Sequence, residues 1–411
     1  MPENHDLAVL AEGLTECARF WQGSPFEPVD LPWRDSDPDL CERLDRLSDD
    51  AVGELRANHE AAVSWLGQYP AAQMLRELIA TAPHLDPVGG AAAIGDRHLP
   101  HVFMGVPGRK EAQIRRFLDR VPDDSKDYLE WCSGKGHLAR ALVSTRSGSR
   151  ATCLEIDAQL CAAGSRNAQF GSSRGAAIEN LPIEFVQGDA LDLSATEVVM
   201  ADRQALALHA CGDLHTTLLR RAVDRQVRSI VISPCCYHLS SEESVVPLST
   251  SGRASGIVLT RDDLRMAVQE TAVAGAGTKR RRQLEVSFRL GFDALQRKLR
   301  QTDQYLNVPN VPKALLSEGF PAFCRWAASL KGVDLSAKGV DFQRWEEIGR
   351  QRFEVVEKIE LVRDSFRRPL EMWLVKDRAA FLTENDYSVQ VGTFCGREIT
   401  PRNLMIRARK L

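Results

Sequence analysis

The sequence predicts an α/β protein built on a parallel, doubly wound sheet. Three observations carry that expectation. The stretch Asp127–Leu142, DYLEWCSGKGHLARAL, runs from an apolar strand through a glycine turn straight into a helix, the arrangement that places a helix N-terminus and a close backbone beside a nucleotide-type ligand. Short apolar strands then alternate with helices as far as Ser233, the signature of a sheet covered on both faces. Finally, two strands at the C-terminal end are joined by CGREITPR, too short for a crossover helix, so they pair antiparallel.

Bulk properties set the frame. A chain of 411 residues is long enough for more than one domain. Its 44% hydrophobic and 27% charged residues are those of an ordinary globular protein. A net charge of -3 gives no global attraction to nucleic acid, so any basic surface is local. Glu3, Asp6 and Glu12 argue against a secretory or mitochondrial leader. No apolar run reaches the ~20 residues that span a bilayer. The ten cysteines are scattered, and Cys132, Cys153 and Cys211 sit in apolar strand contexts, as reduced thiols do in a cytoplasmic protein.

Residues 1–106 read as an N-terminal helical domain. Leu7–Trp21 and Leu40–Leu47 carry apolar residues at helical spacing around an irregular Pro25–Asp39, and Glu54–Ala82 reads as two further helices. Pro107–Val121 is an amphipathic helix with Ile114, Phe117, Leu118 and Val121 on one face. Its Arg109, Lys110, Arg115 and Arg116 are either a solvated face or a contact for an anionic ligand.

The core spans 107–248. Strand one is Tyr128–Cys132 and its helix is His137–Leu142. Strand two is Ala151–Asp157, followed by a helix over Ala158–Phe170 and the loop GSSRGAA. Strands three, four and five are Ile183–Gln187, Ala205–Ala210 and Ser229–Ser233, with a helix over Leu214–Asp224 between the last two. Residues 249–366 form a helical insertion after strand five. It opens on STSGRASG (Ser249–Gly256), expected as a mobile loop, and centres on KRRRQLEVSFRLGFDALQRKLR. There Leu284, Phe288, Phe292, Leu295 and Leu299 line one helix face, with basic residues opposite and at Lys279–Arg282. Residues 367–411 supply a helix (Glu371–Glu384) and the strands Tyr387–Phe394 and Asn403–Arg409, completing the sheet.

The glycine loop satisfies two ligand patterns. Gly134, Gly136 and Ala139 with Glu155 downstream fit the loose dinucleotide fingerprint. An acidic residue closing each of three successive strands fits S-adenosylmethionine better. Glu130 faces the cationic amino and sulfonium end, Glu155 the ribose hydroxyls and Asp189 the adenine amino group. Carboxylates in those places suit a cationic nucleoside without phosphates. The expected cofactor contacts are Glu130, Cys132, Ser133, Gly134, Lys135, Gly136, His137 and Leu138 on the loop. Beyond the loop they are Glu155 and Ile156, Asp189 and Ala190, and His209 and Ala210.

The motifs EWCSGKGHLARAL, LALHACGDLHTTLL and VISPCCYH together resemble the methyltransferase-like family of the eukaryotic acceptor-stem tRNA 2′-O-methyltransferases. Relatives of that family include the ribosomal RNA adenine dimethylase domain-containing and glutathione S-transferase C-terminal domain-containing proteins. The resemblance covers roughly Pro107–Ser240 and, more faintly, the terminal strand pair. It implies a Rossmann-like class I methyltransferase with a seven-stranded sheet and S-adenosylmethionine as cofactor. Cys132 stands where a first glycine is common.

Methyl transfer is an in-line displacement, so the protein mainly holds a nucleophile against the sulfonium carbon. Candidate catalytic groups are His209 and Asp213 after strand four, and Cys235, Cys236, Tyr237 and His238 after strand five. Ser233-Pro-Cys-Cys-Tyr superficially resembles the loop that grips exocyclic amines, which normally follows strand four. Cys211, Cys235, Cys236 and His238 lack the C-x₂-C spacing of zinc sites, so no metal is expected. The basic helix 279–300 points to RNA as the methyl acceptor. A protein or small-molecule acceptor, or a non-catalytic scaffold that binds the cofactor, are the alternatives.

Overall fold

In a computed structural model, residues 2–67, 83–87, 102–169, 180–242, 244–268, 276–336 and 339–411 are described. The chain divides into two compact units. One comprises Met1–Glu16, Leu78–Val268 and Arg368–Leu411; the other comprises Cys17–Glu77 and Gln269–Arg367. The residues expected as one domain over 1–106 are therefore shared between both units, and the insertion departs at 268 rather than 248.

The first unit is organised on a seven-stranded sheet, the Rossmann-like class I methyltransferase topology. Its strands are β1 (Asp127–Trp131), β2 (Arg150–Glu155), β3 (Ile183–Gln187), β4 (Gln204–Cys211), β5 (Ser229–Cys235), β6 (Tyr387–Thr393) and β7 (Leu404–Lys410). Their order is β3-β2-β1-β4-β5-β7-β6. The first five run parallel and β7 pairs antiparallel with both β5 and β6. Every expected strand forms, with ends shifted by one or two residues. β1 and β5 are buried along their whole length, as interior strands of a parallel sheet are. Chain reversal comes between β1 and β4, so the crevice at the carboxyl ends of these strands is the topological switch point.

The helices Gly108–Leu118 and His137–Thr145 cover one face of the sheet. Ile114, Phe117 and Leu118 pack with Leu138, Leu142, Tyr128 and Met405 in a single apolar cluster. Residues 83–85 lie against the outer strand: the Leu85 amide donates to the Thr393 carbonyl and the Thr393 amide to that of Pro83. The second helix expected within Glu54–Ala82 and the loop GSSRGAA fall largely on 68–82 and 170–179, outside the described residues.

Ser249–Gly256 is not a mobile loop. It contains the helix Thr250–Ala254, capped by Ser249 Oγ, which accepts from the Gly252 amide. Asp377, buried on the Arg367–Thr383 helix, accepts from the Leu248 amide at 2.9 Å and the Ser249 amide at 3.0 Å. Its Oδ1 also takes the Ser249 hydroxyl at 2.7 Å. Glu384 takes the Thr250 and Ser251 amides. A serine-rich stretch that reads as loop locally is thus folded by carboxylates far along the chain.

In the second unit, Ala276–Arg300 and Phe342–Asp364 form a close helix pair. A Cβ at Gly349 would lie 2.2 Å from the Ser287 carbonyl oxygen, so glycine permits the approach. Phe288, Phe292 and Leu295 are buried with Phe320 and Phe323. Leu284, expected on that face, is exposed. Much of the expected basic face is internally paired. Arg282 bridges Glu360 at 2.9 Å, Arg289 bridges Glu285 at 2.8 Å, and Arg297 bridges buried Asp293 at 2.8 Å. Lys279, Arg280 and Arg281 are exposed.

Candidate active site

The crevice at the ends of β1 and β4 holds a cavity of about 450 Å³. Its walls include Arg109, Lys110 and Gln113 of the Gly108–Leu118 helix, with Glu130, Cys132, Ser133, Gly134, Leu138, Leu208 and His209. Three strand ends on this side of the sheet share an unusual backbone. Cys132 after β1, His209 in β4 and Cys236 after β5 all have positive φ, at 56°, 64° and 45°. Non-glycine residues adopt that region at a cost of about 1–3 kcal/mol, and such strain gathers at functional sites. At His209 it coincides with a bulge, where the pairing of β4 with β5 shifts register between Leu208 and Ala210.

The glycine loop is built by hydrogen bonds between successive strand ends. The Gly134 amide donates to Glu155 Oε2 at 2.8 Å, and the Asp157 amide to Glu155 Oε1 at 3.1 Å. The Ser133 amide donates to the Leu154 carbonyl. Gly134 (φ 60°) faces open space, so a ligand can approach its backbone, whereas a Cβ on Gly136 (φ 63°) would meet Phe185 at 2.6 Å. Glu130 lies buried beneath the helix start and accepts the Ala139 amide at 2.7 Å. Burial pushes its carboxyl up to about 7.

The other expected cofactor contacts divide. Lys135 is exposed and Ile156 is 60% exposed. His137 is buried against Arg140 at 3.4 Å, and burial lowers its ring to about 4. Asp189 is exposed, with Oδ1 accepting the Leu191 amide at 2.8 Å. Ala190 and Ala210 are buried, and their carbonyls accept from Arg221 and His215. Burial raises the Cys132 thiol to about 12, which keeps it protonated.

His209 is the most informative group. Its Nε2 lies 3.1 Å from Gln113 Oε1, while Nδ1 is buried with no partner. An acceptor at Gln113 Oε1 keeps the proton on Nε2, leaving the Nδ1 lone pair bare. Burial lowers the ring to about 4, so it is neutral at physiological pH. Gln113 is 96 residues away in sequence and went unrecognised from the sequence, where only its position on an amphipathic helix was legible.

The remaining candidates are separated by the structure. Asp213 Oδ2 accepts the Ser241 amide at 2.7 Å, tying down the loop after β5. Tyr237 is buried, edge-on to His215 and under Arg378, with its hydroxyl directed at the Pro234 carbonyl. Those contacts pack the core beneath the strand end and leave the hydroxyl no opening to an acceptor. His238 is half-buried with Nδ1 unpartnered. Cys211, Cys235 and Cys236 converge, their sulfurs all within 4.8 Å of one another. Hydrogen bonds from Cys211 and Cys235 hold Cys236 below the usual thiol range. The expectation of no metal rested on the missing C-x₂-C spacing among Cys211, Cys235, Cys236 and His238, yet the fold brings three of the four together without that spacing. Ser-Pro-Cys-Cys-Tyr starts inside the fifth strand and runs on past its end, so its likeness to the amine-gripping loop is one of composition, not of place.

The site's donor set fits S-adenosylmethionine. Ser133 Oγ and His209 Nδ1 are orphaned buried polar atoms in the cavity lining. A carboxylate stands at the end of β1 and of β2 and just beyond β3, and each carboxylate oxygen has more than one lone pair to offer.

Residues 109–243 match the family model described as a methyltransferase domain. No curated protein matches the chain. Among solved structures, coclaurine N-methyltransferase bound to N-methylheliamine and S-adenosylhomocysteine is similar at 11% identity and a TM-score of 0.28. That alignment covers 80% of this chain and 93% of the other. The match makes residues 109–243 a methyltransferase domain, with S-adenosylmethionine as its cofactor. Among the described residues, no helix is long and apolar enough to cross a membrane.

Proposed function

We propose that this methyltransferase delivers its methyl group to a hydroxyl or amine nucleophile on RNA. The observation that carries the reading is the bare Nδ1 of His209, held by Gln113 in the cavity that Glu130 and Gly134 also line. When bound, the cofactor supplies a methyl group made electrophilic by its sulfonium. Asp189 would take the adenine amino group, Glu155 the ribose hydroxyls and Glu130 the amino group of the methionine end. Lys110 and Arg109, on the cavity wall, are suited to the carboxylate of that end.

His209 Nδ1 then accepts the proton that the acceptor loses as it attacks. A neutral, desolvated imidazole is suited to that role because it needs no prior deprotonation. Asp213 contributes by fixing the 239–241 backbone rather than by touching the acceptor. RNA is favoured by the exposed run Lys279–Arg281, which has no ion pair among the described residues and sits at the positive end of a helix.

Two measurements test the reading. Calorimetry with S-adenosylmethionine, S-adenosylhomocysteine and NAD should show binding of the two adenosyl ligands alone, weakened in Asp189→Ala. Labelled methyl donor offered with RNA, protein and small-molecule fractions should then mark RNA. Reversing Lys279, Arg280 and Arg281 to Glu should weaken RNA binding and flatten its salt dependence, while Arg282, already paired, is left in place. Equal RNA affinity in that variant removes RNA from the proposal and leaves the small-molecule or protein acceptor.

A further inference from the structure

Cys211 and Cys235 occupy the same register on neighbouring parallel strands, with sulfurs 3.5 Å apart. The chain reverses at Cys236, where φ is 45°, so the third sulfur returns toward the other two instead of pointing to the opposite face. All three lie within 4.8 Å of one another, and Cys211 and Cys236 remain partly open to solvent.

We propose that Cys211, Cys235 and Cys236 form a three-thiolate site for a thiophilic divalent cation, zinc above all. Zinc–sulfur bonds of about 2.3 Å place the sulfurs of a tetrahedral site about 3.8 Å apart, a spacing these side chains reach with small rotations. A disulfide between any two would strand the third, whereas one cation satisfies all of them. Three thiolates and a divalent ion carry one net negative charge. Arg402, which acts electrostatically on both Cys211 and Cys236, supplies the balancing cation.

Among the described residues no fourth histidine, cysteine or carboxylate joins the cluster. The ion would therefore keep one position for water or another small ligand, the pattern of an open site. Cys211 also donates to the carbonyl of His209 at 3.5 Å. As a metal-bound thiolate Cys211 gives up that hydrogen bond, and the ion instead ties the strand end two residues beyond the His209 bulge to Cys235 and Cys236.

The test uses the full chain purified under reducing conditions without chelator. Elemental analysis should find about one zinc per chain. Cobalt(II) titrated into the stripped, reduced protein should give a thiolate-to-cobalt charge-transfer band with tetrahedral visible bands. Cys211→Ser and Cys236→Ser should each weaken cobalt binding by about a hundredfold, while Cys161→Ser, outside the cluster, leaves it unchanged. Cys236 is half-exposed, so its serine variant remains informative if substitution of buried Cys235 impairs folding; circular dichroism checks each variant. Reduced wild type that binds cobalt no tighter than the Cys211→Ser/Cys236→Ser double variant overturns the proposal. So does a cobalt complex without the charge-transfer band.

Discussion

The buried Glu130 carboxylate, on the wall of the cavity, accepts the Ala139 amide across 2.7 Å. That bond and the Cys153 thiol at 3.8 Å do not offset its desolvation, and burial pushes the carboxyl up to about 7. The folded chain therefore holds a proton between about pH 4.5 and 7 that the unfolded chain has released. Stability should fall as pH rises through that window, by about 3 kcal/mol from this group, and Glu130→Gln should flatten the slope in chemical denaturation. In the proposed arrangement the cofactor's amino group favours the ionised carboxyl. Binding of S-adenosylmethionine should hence tighten as pH rises toward 7, by up to about tenfold per pH unit, and titrations in buffers of different ionisation enthalpy should detect the released proton.

His209 should behave differently. Its ring is already neutral down to about pH 4, so protonation of His209 should not shape the pH–rate profile above pH 5. His209→Ala should lower kcat by about 10²–10³ with little change in cofactor affinity. Gln113→Leu should reproduce part of that loss, because the ring is then free to carry its proton on the other nitrogen. A His209→Ala variant with undiminished kcat would make the residue structural.

Asp189 and Glu155 offer a contrast within the proposed cofactor site. Asp189 is exposed and braces only its own turn through the Leu191 amide. Asp189→Ala should weaken adenosyl binding about tenfold, the worth of one charge-assisted hydrogen bond, while leaving the denaturation midpoint near that of the wild type. Glu155 accepts two backbone amides that shape the glycine loop. Glu155→Ala should lower both binding and stability, and comparing the two midpoints separates recognition from loop construction.

Asp377 carries the heaviest structural load outside the site. Replacing it with Ala strips buried partners from the Leu248 and Ser249 amides and from the Ser249 hydroxyl, and leaves Arg378 without its 3.2 Å ion pair. The expected loss is about 3–5 kcal/mol in denaturant unfolding. Protease should then cut first near 248–256.

The same residues mark what could be read from sequence. All seven strands were legible because buried parallel strands are continuous apolar runs, and the last two because their connection is short. The glycine loop was legible because it is contiguous along the chain, and its acidic neighbours because each closes a legible strand. What escaped depends on contacts between distant segments. Ser249–Gly256 becomes a helix only through Asp377 and Glu384, His209 acquires its tautomer from Gln113, and Cys211 meets Cys235 only once β4 and β5 are in register. Helices from 17–77 and 269–367 share one compact unit, a pairing that local periodicity does not encode. The basic face was overread for a related reason. Arg282, Arg289 and Arg297 look free in sequence, yet Glu360, Glu285 and Asp293 hold them.

Residues 83–85 on the outermost strand have one more effect. An outer β-strand offers unpaired amides and carbonyls to any other chain that can add to it. At the Thr393 end of β6 those groups are already taken by Pro83 and Leu85, and the strap fits only because Gly392 has no side chain: a Cβ there would lie 2.4 Å from the Pro83 carbonyl oxygen. This small tie makes the sheet self-terminating at that corner. A side chain at 392 would displace it and expose a sticky edge, a seed for intermolecular β-pairing.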